Sequence, residues 1–142
     1  MKESPLRILI VDSSETQRAI IERVLNLSEC FHVAPVTSFS QLLAYTQYAL
    51  RPIDIVLISS RVAIDSGVDV YSFCAANVNI KHFVIYNAAG FDALALEMSS
   101  SKVKAVLPGT LDAQALRALL AMIQLGQVSH PNFPPSHCVS DK

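Results

Sequence analysis

The chain has 142 residues, 51% of them hydrophobic and only 16% charged, with a net charge of −1. One domain of this length buries a core without metal or disulfide help, and a near-neutral balance with no basic run argues against nucleic acid or an anionic membrane as direct partners. Apolar runs of strand length exclude a bilayer span. Three cysteines at unrelated spacings (Cys30, Cys74, Cys138) and no signal-peptide core after Met1 point to a reduced, cytoplasmic protein.

"LRILIVD" (6–12) is a continuous β-branched run ending in Asp12, the pattern of a strand buried on both faces. "SSETQRAIIERVLN" follows as an amphipathic helix, with Ser14 and Gln17 in a capping box and Ile20, Ile21, Val24 and Leu25 as its apolar stripe. "FHVAPVT" (31–37) belongs at a sheet edge, because Pro35 has no N–H to give a ladder. "SFSQLLAYTQYAL" (38–50) is a second helix, and "IDIVLISS" (53–60) a buried third strand that closes on Ser59 and Ser60. "GVDVYSFCAANV" (67–78) predicts a helix, "HFVIYN" (82–87) a strand and "FDALALEMS" (91–99) a short helix. "VKAVL" (103–107) is the fifth strand, and "TLDAQALRALLAMIQLGQ" (110–127) the last helix, capped by Thr110.

This alternation predicts a flavodoxin-like, doubly wound α/β fold with a five-stranded parallel sheet in the order 2-1-3-4-5. The first and third strands are then neighbours, so Asp12 and Ser59 meet at the carboxyl edge, where such folds place their ligands. Residues 1–126 form the domain, and 127–142, with its prolines, reads as a linker or tail. His130, His137 and Cys138 in that tail repeat no ligand spacing, so no metal site is expected there.

The last helix carries two apolar stripes at 100° per residue. Leu116, Leu119, Leu120 and Ile123 suffice to cover the sheet. Leu111, Ala115, Ala118, Met122 and Leu125 form a second stripe beside them, which predicts a self-association face and a homodimer of C2 symmetry. The alternative is an alanine-rich surface under the tail.

"ILIVDSS", "PIDIVLISSRVAIDSG" and "VKAVLPG" lie at separations that resemble the receiver domain of bacterial two-component response regulators, over roughly residues 6 to 126. The resemblance implies a phosphorelay site: two acids after the first strand holding Mg²⁺, an aspartate ending the third strand as phosphoacceptor, a hydroxyl ending the fourth, and a lysine before proline ending the fifth. Transferred residue by residue, the site is degenerate. Asp12 matches one acid, but Ser13 stands for its companion; Ser59 falls on the phosphoacceptor, with Gly67 matching the glycine eight residues on. Asn87 replaces the hydroxyl, Leu107-Pro108 lacks the lysine, and the switch aromatic falls on Ala105 or Lys104.

Serine forms no acyl phosphate and is a poor nucleophile without a base. One carboxylate in place of three holds Mg²⁺ weakly or not at all. The expectation is therefore a pseudo-receiver, not an enzyme and without a cofactor, that works by dimerisation and protein contact. The tail "LGQVSHPNF" is similar to the hinge of regulators that carry a C-terminal helix-turn-helix, so this would be the regulatory half of a transcriptional regulator. Two alternatives stand beside it. Asp12, Ser13, Ser59, Ser60 and Asn87 could line a small-ligand pocket, or phosphorylation could have moved to Asp65 in the loop after the third strand. A serine hydrolase is disfavoured, since His82 starts the fourth strand, far from Ser59, and no nucleophile elbow exists.

Overall fold

The computed structural model describes residues 6–26, 31–88, 95–99 and 102–127. Strands β1 (Leu6–Val11), β2 (Phe31–Val36), β3 (Ile53–Ser59), β4 (Ile80–Tyr86), β5 (Ala95–Ser99) and β6 (Lys102–Val106) form one sheet in the order β2-β1-β3-β4-β6-β5. β2, β1, β3, β4 and β6 are mutually parallel, which is the expected flavodoxin-like order 2-1-3-4-5 when the parallel strands alone are counted. β5 adds an antiparallel edge strand beyond them.

The helices are α1 (Glu15–Asn26), α2 (Phe39–Gln47), α3 (Ser60–Ser66), α4 (Val70–Ala76) and α5 (Ala113–Gln127). Ile21 and Leu25 of α1 pack with Leu116, Leu119 and Ile123 of α5 on one face of the sheet, against Ile8, Ile10, Ile55, Leu57, Val84 and Ala105. Leu42 of α2, Val62 of α3 and Val70 and Cys74 of α4 cover the other face, against Leu9, Val56, Ile58, Phe83 and Ile85. Because neighbours along a strand point to opposite faces, these near-continuous apolar runs need cover on both sides. Each fully buried aliphatic side chain contributes roughly 1.5–3 kcal/mol.

Five expectations change. The segment 91–99 is not a helix where it is described: residues 95–99 pair with Lys102–Val106 as a strand, and 91–94 lie outside the described residues. The pairing contacts of a sheet edge override the helical spacing of its leucines. The stretch 67–78 holds only α4, and α3 precedes it directly after β3. Gly67 ends α3 in the left-handed conformation (φ 71°), which a glycine adopts without strain, and so separates the two helices. α5 starts at Ala113, not after Thr110, because Asp112 accepts from the Ala115 N–H at 2.8 Å. Ile20, placed in the buried stripe of α1, is 49% exposed.

The fifth change concerns the second stripe of α5. Leu111 is buried in the core, and Ala115 and Met122 pack partly buried against the same cluster. Ala118 is exposed, and the side chain of Leu125 lies outside the described residues. The stripe predicted to face a second copy is largely spent on the chain's own core.

Candidate functional site at the carboxyl edge

The parallel register aligns Val11 with Ile58 and Ser59 with Tyr86, so Asp12, Ser59 and Tyr86 end three adjacent strands at one level. All three are buried. The Asp12 carboxylate accepts from two donors: the Ser14 N–H at 2.8 Å on Oδ1 and the Tyr86 hydroxyl at 2.7 Å on Oδ2. The Asp12 carbonyl accepts from Arg18 Nη1 of α1 at 2.6 Å. Burial, and then the hydrogen bond to Asp12, hold the Tyr86 phenol far above its usual range, so it remains a donor at all physiological pH.

Ser59 has a different duty. Its Oγ accepts from the Arg61 N–H at 3.1 Å, which makes it the N-cap of α3. Ser60, the first residue of that helix, donates from Oγ to the Asn87 carbonyl. The strand therefore ends on two hydroxyls because a helix begins there at once and needs its first N–H groups satisfied. Asn87 sits at φ 58°, a conformation asparagine tolerates better than most residues. Its N–H donates to the Gly109 carbonyl at 2.8 Å, tying the end of β4 to the turn after β6.

The structure thus brings Asp12, Ser59 and Asn87 to one edge, as expected. Ser13 is exposed in the turn before α1, and Pro108 is exposed in the turn that Asn87 holds by its neighbour Gly109. Asp65 lies on the exposed side of α3, not in a loop. Among the described residues, no three His, Cys, Asp or Glu side chains gather as metal ligands. Tyr86 is the residue the sequence analysis missed. Its signal was a phenol ending the apolar run "HFVIYN", since a buried tyrosine hydroxyl needs an acceptor and Asp12 is the buried carboxylate level with it.

Beside these residues an open cleft of about 800 Å³ has Ser59, Ser60 and Asn87 on its polar side and Ile64, Val68 and Tyr71 among its apolar walls. Asp12 and Ser13 do not line it, which corrects the composition expected for a ligand pocket. His82 is buried near the amino end of β4, where Nδ1 accepts from the Val103 N–H at 3.0 Å. It is at the far end of the strand from Ser59 and serves the sheet, not a nucleophile.

No helix among the described residues is long and apolar enough to cross a membrane. The chain matches no protein-family model, no curated protein and no solved structure.

Proposed function

We propose that this chain is a receiver-like signalling domain that works by protein contact and without phosphoryl transfer, as the regulatory part of a transcriptional regulator in the cytoplasm. The observation that carries this reading is the buried bond from the Tyr86 hydroxyl to Asp12. In a working receiver that carboxylate is free to hold a hard cation, whereas here each of its oxygens already has a donor. Ser59 adds to it, because its lone pair answers a backbone N–H and His82, among the described residues, is engaged at the far end of the sheet. The turn Leu107-Pro108 brings no cation to stabilise an incoming phosphoryl charge.

Incubation with acetyl phosphate and Mg²⁺, followed by intact-mass measurement, tests the proposal. The expected mass is unchanged, for wild type and for Ser59→Asp alike. A phosphoryl adduct on wild type, at Asp65 or elsewhere, overturns it. Self-association through the second stripe loses support, because Leu111 lies before α5 and is buried and Ala115 and Met122 pack against the core, so partner contact, not that dimer, is the form of signalling proposed.

The cleft beside Ser60 and Asn87 favours a second reading, a small-ligand sensor. Its volume is within the range of ligand sites, and apolar walls around a few polar groups are their usual make-up. A rise in melting temperature with a nucleotide or second messenger, abolished by Val68→Asp, would favour the sensor over the contact module.

A further inference from the structure

The cleft at the end of β4 is lined by buried Ile85 and Val106, while Ile64 is 69% and Val68 44% exposed at its rim. Scattered exposed aliphatics are ordinary, but two of them over an apolar cleft of about 800 Å³ leave room for a ligand's body.

The polar groups in the wall fix the chemistry of that ligand. Backbone N–H groups along it are already engaged: Arg61 donates to Ser59 Oγ, Gly67 to the Ile64 carbonyl, Val68 to Ser66 Oγ, Asn87 to the Gly109 carbonyl and Ala88 to the Leu107 carbonyl. A phosphate cradle is made of free backbone N–H groups, so this wall does not offer one. Side chains carry what is left. Ser59 is only 4% exposed and lines the cleft; its Oγ accepts from Arg61, and among the described residues its own proton has no acceptor. A hydroxyl this buried is expected to donate. Among the described residues, the Asn87 side-chain amide and the Arg61 guanidinium are likewise without a hydrogen-bond partner, and both line the cleft.

Charge narrows the class further. Arg61 brings one positive charge to the rim and Asp69 one negative, the latter's oxygens accepting from the Ser72 N–H at 3.1 Å and the Ser72 hydroxyl at 2.8 Å. A dianion such as a phosphate monoester would meet one cation and one anion, whereas a single carboxylate needs only the cation and the Ser59 donor. We infer that the cleft takes a small amphiphilic monocarboxylate, with its apolar body against Ile64, Val68 and Tyr71 and its carboxylate accepting from the Ser59 hydroxyl and the Arg61 guanidinium. Asn87 adds an amide to the same wall. The inference rests on the ligand-sensing reading and supplies its ligand class.

Three naphthalene probes separate that class from the reading itself. The ¹⁵N-labelled full chain is titrated with naphthylacetate, with the neutral naphthylacetamide and with the dianion naphthyl phosphate. Backbone signals of Ser60, Ile64, Val68 and Asn87 should shift with naphthylacetate and saturate with a Kd near or below about 1 mM, the affinity of a good fragment. Naphthylacetamide should bind roughly three- to tenfold more weakly, as for the loss of one charge-assisted contact at an exposed rim. Arg61→Gln should weaken naphthylacetate by the same factor and leave naphthylacetamide unchanged, with an unaltered circular dichroism spectrum. Equal binding of the acid and its amide, or tighter binding of naphthyl phosphate, overturns the carboxylate class and keeps a ligand site in the cleft. No shift at these residues with any of the three overturns the inference, and the sensing reading then falls only if nucleotides and second messengers fail as well.

Discussion

The two edges of the sheet differ in how the helix ends are satisfied, although Arg18 also bonds a carbonyl at the carboxyl edge and His82 an N–H at the amino edge. At the carboxyl edge, side-chain oxygens accept from backbone N–H groups: Asp12 from Ser14, Ser38 from Gln41, Ser59 from Arg61 and Asp112 from Ala115. At the amino edge, cations donate to carbonyls. Lys102 Nζ bonds the carbonyls of Cys74, Ala75 and Asn77 at the end of α4, and Arg7 Nη1 bonds that of Arg51. The cause is the parallel fold. Helices start at one edge, where N–H groups and the positive end of the dipole are exposed, and finish at the other, with free carbonyls. A row of acids and hydroxyls at the carboxyl edge is thus first a set of helix starts. It becomes a reactive site only with groups beyond that need, and here the extra carboxylate of Asp12 is taken by Tyr86.

The comparison breaks most sharply at that pair. Tyr86→Phe leaves a buried carboxylate short of a donor, and Asp12→Ala leaves a buried phenol without its acceptor. Each should cost about 2–3 kcal/mol in urea unfolding, and the double variant should cost much less than their sum, as expected for groups that act together.

At the amino edge the corresponding test is acid. Burial, more than any neighbouring charge, lowers the His82 pKa to about 4, with Asp54 opposing and Lys81 and Lys102 assisting the shift. The unfolded chain, near 6.5, then binds the proton that the folded chain refuses. Stability is full above about 6.5 and falls as the pH drops toward 4, by roughly 1–3 kcal/mol. His82→Gln should flatten this slope in unfolding curves measured between pH 7 and 4.

Caps give smaller effects. Lys102→Met keeps the buried stem and loses the bonds to α4, and Ser59→Ala uncaps α3, each for about 1 kcal/mol by thermal melting. The smallest effects belong to exposed Leu50 and to the surface ion pair. Leu50→Ser and Lys81→Ala should change stability by less than about 0.5 kcal/mol, since Leu50 is in water and the Lys81–Asp54 pair spans 3.5 Å at the surface.

Much of this edge is legible in the sequence. β-branched runs identified the parallel strands, Pro35 put β2 at a margin, and strand order alone brought Asp12 beside Ser59. The Asp12–Tyr86 bond was not legible, because 74 residues separate the partners and only the register of β1, β3 and β4 makes them level. The strand at 95–99 was hidden for a related reason: "ALEMS" has helix-forming residues, and only its β6 partner selects the extended form.

The sequence by itself determined the five parallel strands, the Ser14 cap of α1 and the missing lysine, since these depend on residues near one another in the chain. The tertiary structure decided which polar groups satisfy one another and which apolar faces stay covered. Leu111 illustrates the second: helical periodicity assigns it to an outer stripe, but the helix starts only at Ala113, and Leu111, in the segment before it, is buried in the core. Periodicity gives a side chain a direction only where the helix runs, and here the Asp112 cap starts the helix beyond Leu111.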